Sequence, residues 1–282
     1  MKTILPSLVC AVALGCTAFA GPALAQNTTV SQVGLAQDDG ARGRIAYSGK
    51  LSMLSQLVPA AACHLSANVD PQGMIEMLGS ATAEFQTILH ALEFGDAELN
   101  ITGAETRRKT ITEIETVRNA WSPVRVAAEA MIIGDVSDKN LQIILSQDLE
   151  VLEATKSLVI DILSHYTNPT DLVQADSFLI DIAGRQRLLI QMMSKESCML
   201  SGNQLAPAAA AGLQGSMQTF STSLDALRNG MPSAGIRRPP SAEIEAGLDE
   251  VLVQWADVKP ILDTIAAGSD LDSESAARKF HD

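Results

Sequence analysis

The side chains with most chemical potential in this chain are His64, His90, His165 and His281, Cys63 and Cys198, Met192, Met193 and Met199, and a few arginines. A zinc site needs His, Cys or carboxylate ligands at short, regular separations. None of the four histidines stands at such a spacing from a cysteine or an acid, and His64, beside Cys63, reads as a surface residue. Met192, Met193, Cys198 and Met199 are soft enough for copper(I), but at helical spacing they read as packing. No C-x-x-C-H haem attachment and no glycine-rich phosphate loop occurs. The serines lack the accompanying His and Asp pattern that nucleophilic catalysis requires. The chain is therefore expected to be no enzyme and to carry neither metal nor cofactor.

The compartment follows from the N-terminus and the cysteines. Lys2, the apolar stretch Ile4 to Phe19 and Ala23-Leu24-Ala25 read as a secretory signal peptide over residues 1–25, cleaved after Ala25. The apolar run is too short to span a bilayer of about 30 Å and is broken by Gly21 and Pro22. Ala13-Leu14-Gly15-Cys16 loosely suggests a lipoprotein box, with a poor first position. A periplasmic destination is the expectation. The mature chain would keep 19 basic and 33 acidic side chains, a net charge of −14, which argues against nucleic acid and anionic lipid as partners. Cys10 and Cys16 leave with the signal, and in an oxidising compartment the remaining Cys63 and Cys198 are expected to pair rather than stay free.

The chain also contains itself twice. Residues 45–95 align without a gap on 180–230, with 15 identities in 51 positions, among them Ile45/Ile180, Gly49/Gly184, Gln56/Gln191, Cys63/Cys198, Phe85/Phe220 and Gly95/Gly230. Composition alone would give about three, so the match marks a duplication. One residue is then lost, and Val117/Val251, Trp121/Trp255 and Val124/Val258 continue the alignment. Scarce aromatics and abundant Ala, Leu, Ile, Val and Met suit helices packed on helices. The expected architecture is all-α: tandem antiparallel helical bundles in a pseudo-twofold arrangement. A flexible segment (26–40) would precede a first repeat (41–166) and a second (167–282).

Each repeat reads as the same helix series. The first helix runs from about Ala41 to Ser66, and again from Asp171 to Ser201. Asp70-Pro71 supplies an N-cap and a proline at the first helical position of the second helix, and Gly95 and Gly230 end it. The third helix carries Val117, Trp121, Val124 and Ala128, matched by Val251, Trp255, Val258 and Leu262, a seam in which both tryptophans read as core. A fourth helix, about Asp138 to His165, lacks a full counterpart, since the stretch from Asp272 reaches only Asp282. The second repeat then has an open face, which the first repeat is expected to cover.

On the first helix, Ile45, Gly49, Ser52, Gln56, Pro59 and Cys63 step by 4-3-4-3-4 and form one line. Ile180, Gly184, Arg187, Gln191, Ser194 and Cys198 form the same line in the second repeat. A stripe with Gly, Gln and Cys is too polar for an ordinary bundle core and suits a helix–helix contact in which glycine allows close approach. Equivalent residues meet across a twofold axis. Cys63 should therefore lie opposite Cys198 with Cα atoms less than about 7 Å apart, in a disulfide that stabilises by about 4 kcal/mol in the chain-entropy model.

Ile182-Ala183-Gly184-Arg185-Gln186-Arg187-Leu188-Leu189, continuing as Ile190-Gln191-Met192-Met193-Ser194-Lys195, resembles the A-G-R-Q-R-M-L-S-Q-R-M-x-K signature of PilJ-type N-terminal sensing domains of type IV pilus methyl-accepting chemotaxis transducers. Ser48-Gly49-Lys50-Leu51-Ser52-Met53-Leu54-Ser55-Gln56 is a weaker version. That family is related to the periplasmic domains of NarX-type nitrate/nitrite sensor kinases, in which an arginine from each subunit holds the anion at a dimer interface. Matched by motif, that arginine is Arg187, and a guanidinium fork suits a planar oxyanion. The first repeat departs with Ser52, so a two-arginine clamp within one chain is impossible. Lys50 and Arg185 lie about 200° around the helix and do not substitute.

The resemblance implies a free-standing periplasmic sensor or binding protein. Arg187, Ser52, Gln56 and Gln191 would hold a small nitrate- or nitrite-like oxyanion, or the domain would relay to a membrane-bound signalling partner. Against this stands a structural or protein-interaction module that has lost ligand binding, with Arg187 paired to a carboxylate in an inert interface.

Overall fold

The computed structural model describes residues 40–166, 174–202 and 206–268, with side chains from residue 182 onward in the second of these stretches and from 207 in the third. The expected signal peptide, most of the segment 26–40, the expected helix start at Asp171, the side chain of Ile180 and the stretch from Asp272 lie outside the described residues.

Among the described residues the chain forms seven α-helices: α1 (Ala41–Ser66), α2 (Pro71–Phe94), α3 (Arg108–Ile132), α4 (Asp138–Tyr166), α5 (Gln174–Ser201), α6 (Ala206–Asn229) and α7 (Ala242–Ala266). Local chemistry sets their ends. Asp70 caps α2, its carboxylate accepting from the Gly73 amide at 3.3 Å, with Pro71 at the first helical position. Ser241 caps α7 through the Ile244 amide. Gly95 and Gly230 close α2 and α6 at φ +85° and +77°, a region costly for residues with a Cβ.

Helices α1 to α4 pack as a closed ring, each against the next and α4 against α1. Its core takes Leu51, Leu54 and Val58 from α1, Leu78, Phe85 and Leu92 from α2, Ile114, Val117 and Trp121 from α3, and Ile144, Val151 and Leu158 from α4, all 2 % exposed or less. Trp121 stacks on Phe85 with ring centroids 4.0 Å apart. In the second repeat, α5, α6 and α7 enclose a smaller core of Leu189, Met193, Leu213, Met217, Phe220, Leu224, Leu262 and Ile265. Trp255 meets Phe220 there at 4.7 Å, yet it stays half-buried and its indole N–H donates to Ser221.

The repeats join through α1 and α5. The first repeat's cover falls on α5, whereas α7 packs on α6 and α5 and keeps Leu248, Val251, Leu252 and Trp255 only half-buried. Cys63 and Cys198 form the expected disulfide, with Cα atoms 6.1 Å apart and both residues 4 % exposed.

The glycine expectation is corrected. Gly49 and Gly184 are exposed, and a Cβ on either would meet nothing within 4 Å. Close approach falls instead on Gly43, where a Cβ would stand 2.5 Å from the Asn100 carbonyl.

The bond spans 135 residues of sequence, so it removes much of the freedom of the unfolded chain. Cys63→Ala with Cys198→Ala is expected to lower the free energy of unfolding by about 4 kcal/mol, seen as a fall in the denaturant midpoint of the double variant relative to the native protein. An unchanged midpoint would show that the seam holds the repeats without the bond.

Candidate functional site

The stripe predicted along α1 and α5 forms a seam that is open at one end and sealed at the other. On α1, Gly49 is exposed and Ile45 half-buried, while Ser52, Gln56, Pro59 and Cys63 are buried. On α5, Gly184 and Arg187 are exposed, Gln191 is half-buried, and Ser194 and Cys198 are buried. Burial thus deepens on both helices toward the disulfide.

Arg187 lies at the open end. Among the described residues it has no carboxylate and no hydrogen-bond partner. At the same level of the repeat, the Ser52 hydroxyl is buried without a partner. A buried hydroxyl usually finds a bond because leaving one unmade costs about 1–3 kcal/mol. Gln56 behaves differently. It is wholly buried, its Oε1 accepts from Lys195 Nζ at 2.8 Å, and its Nε2 donates to the Ser55 carbonyl at 3.3 Å. Pro59 makes that carbonyl available, since it has no N–H to return to a residue four positions earlier.

The sealed end holds a cluster that the sequence reading did not single out. Lys195 is 5 % exposed and forms an ion pair with Asp148 of α4, itself 6 % exposed, while also donating to Gln56 of α1. One ammonium therefore ties three helices from two repeats. The next residue, Glu196, turns toward α6 and accepts from Ser216 Oγ at 3.1 Å. A Cβ on Gly212 would stand 2.4 Å from Glu196 Oε1, so that glycine makes room for the carboxylate. Burial pushes the Glu196 carboxyl up to about 7, and the Asp148 charge adds to this, against the opposing effects of Lys195 and Ser216.

His64 was read as a surface residue, and this is corrected. It is 4 % exposed, with Nε2 3.2 Å from Ser194 Oγ across the seam. Adjacency to Cys63 at a buried helix end placed it inside. Met193 and Met199 are core residues, and no group of His, Cys, Asp and Glu able to hold a metal occurs among the described residues.

A signal for the buried charges was present in the alignment. Lys195 and Glu196 stand where the first repeat has Ala60 and Ala61. Asp148 continues the buried line of Leu141, Ile144 and Leu145 into Val151 and Leu152. A charge set into an apolar line is expected to find a partner.

At the other end of α1, buried Arg44 donates to the Leu92 carbonyl at 2.6 Å and the Gly103 carbonyl at 2.7 Å, with Glu105 3.5 Å away. Its guanidinium lies 5.4 Å from the centre of the Tyr166 ring, whose hydroxyl donates to Glu105 at 2.8 Å. This clamp fixes the start of α1 against the α2–α3 loop and the end of α4.

The family described as the type IV pili methyl-accepting chemotaxis transducer N-terminal domain, PilJ, matches residues 34–147 and again residues 172–280. The chain belongs to this family. It carries two tandem copies of the PilJ domain, a sensory domain of chemotaxis transducers. No curated protein matches the chain.

The Lys195–Asp148 pair gives the seam a test of its own. Lys195→Met removes the cation and leaves Asp148 buried beside Glu196. It is expected to cost about 3 kcal/mol or more, whereas the double variant Lys195→Met with Asp148→Leu should regain most of that loss. Denaturant unfolding of the three proteins measures it. A double variant no more stable than the single one would mean that packing, not charge pairing, governs this point.

Proposed function

We propose that the chain is a free-standing periplasmic sensor of the PilJ/NarX-like type that binds a small planar oxyanion at the open end of the seam and relays its occupancy to a membrane-bound partner. The observation that carries this reading is that equivalent positions of the two repeats hold an unpartnered, exposed Arg187 and a buried, unsatisfied Ser52 hydroxyl. A guanidinium offers two parallel N–H donors to a planar anion, and a hydroxyl offers a third. Gln191, half-buried one turn further along α5, is a neutral donor on the same line. Gln56 stands behind them and links the site to Lys195.

Local donors, not the long-range field, would hold the anion. The chain as a whole is strongly acidic, with a net charge of −13, so anions are repelled at long range and any binding must come from local donors. Arg187 supplies that donor without first giving up a carboxylate. A disulfide in the seam and the lack of any helix long and apolar enough to cross a membrane among the described residues are compatible with a periplasmic setting.

A second reading has its own observation. From Gln56 to Cys63 the seam is sealed by hydrogen bonds, an ion pair and a covalent bond, which suits a structural or protein-interaction module without a ligand.

Thermal shift separates the two. Nitrate or nitrite at millimolar concentration should raise the Tm of the native protein by a few degrees beyond chloride at equal ionic strength. Arg187→Ala should abolish the difference, and Ser52→Ala should reduce it. No anion-specific shift, or one that survives Arg187→Ala, would leave the structural reading standing.

A further inference from the structure

The sealed end of the seam holds two carboxylates and one ammonium, all buried: Asp148, Glu196 and Lys195. Lys195 is already committed to Asp148 and Gln56. Glu196 points the other way, under Gly212, with a serine hydroxyl as its hydrogen-bond partner. The charge count therefore leaves one negative charge uncompensated if both acids ionise, in a place where an unpaired charge is costly.

Among the described residues, Lys195 is the one cation that acts on Glu196. On its own helix stands Lys195; from α4 comes Asp148; from α6 come Gly212 and Ser216. From α1 come neutral Gln56 and the His64 ring, which reaches α5 at Ser194. The α7 side chains buried in this core are Leu262 and Ile265. The first repeat has Ala61 and Ala81 where Glu196 and Ser216 stand, so an apolar solution to the same packing problem exists within this chain.

We propose that the joint between the repeats is proton-sensitive: Glu196 is uncharged when α6 packs tightly on α5, and its ionisation as the surroundings turn alkaline loosens α6 from the α5 segment held by α1 and α4. The sign follows from linkage. A carboxyl that ionises near pH 7 in the folded chain, against about 4.5 in the unfolded one, is bound to a proton more fully in the native state across that window. Its stabilising effect is complete below the unfolded value and is lost as pH rises through the folded one.

The experiment compares the native protein with Glu196→Gln, a neutral isostere that keeps the acceptor for Ser216. Tm values should agree at pH 5, and Glu196→Gln should be higher at pH 8.5 by on the order of 5 °C. Hydrogen exchange of the amides of 212–220 at pH 8.5 should be faster in the native protein than in Glu196→Gln. A Tm difference that does not grow with pH overturns the proposal, as does equal exchange in the two proteins. Should Glu196→Gln fold poorly, the carboxylic-acid carbonyl band of the native protein decides instead: its loss between pH 6 and 8 supports the proposal, and its absence at pH 6 overturns it.

Discussion

The Cys63–Cys198 bond sets the geometry on which the seam depends. It joins the same position of two copies of one domain, so it fixes the register of α1 against α5. Two separate domains would have to meet by association, losing translational and rotational freedom each time. A single chain with a covalent link has already met that requirement. The seam can therefore carry polar and charged groups that an interface relying on apolar burial would tolerate poorly. Lys195, three residues from Cys198, is such a group. Its ammonium meets Gln56 of α1 and Asp148 of α4 on the stretch of α5 next to the bond.

The two copies have diverged in opposite directions. The first has become the better-packed scaffold: its four helices close on themselves, its tryptophan is 1 % exposed, and its buried positions on α1 include Ala60 and Ala61. The second has gathered the chemistry, with Arg187, Lys195 and Glu196 opposite Ser52, Ala60 and Ala61. Its α7 is only partly covered, and its tryptophan needs Ser221 to satisfy the indole N–H. A stable first copy is a foundation on which buried charges in the second can be carried, since each such charge subtracts from the same small net stability.

Much of the architecture was legible because it rests on period and repetition. The 4-3-4 spacing around Trp121 and Trp255 and the caps at Asp70 and Ser241 are local signals, and the duplication made Cys63 and Cys198 equivalent. The stripe itself was also legible, but its depth was not. Period places residues on a line and does not say where two helices touch along it, so Gly49 and Gly184 were expected at a close contact and lie in the open. His64 was misplaced for a related reason: a polar residue is read as exposed until its partner is known, and Ser194 sits 130 residues away. Arg44 shows the same limit. Its acceptors are main-chain carbonyls of Leu92 and Gly103, which no side-chain pattern reveals.

The positions of these groups also bear on how a sensor of this design would respond. The Arg44 clamp ties the start of α1 to the Leu92 and Gly103 carbonyls, Glu105 and the Tyr166 ring, so the first repeat is braced at that end. At the level of Arg187, α5 is exposed, while below it Ser194, Lys195 and Cys198 are gripped. An anion drawing Arg187 toward Ser52 would therefore act on the exposed part of α5 against α1, with the disulfide beyond it. A response of this kind needs differential contact between two arrangements of one element, and the uneven burial along α5 is the feature on which such a difference would act. The buried charges at Lys195 and Glu196 lie next to the disulfide, where a small rotation of α5 changes the distances between them most directly.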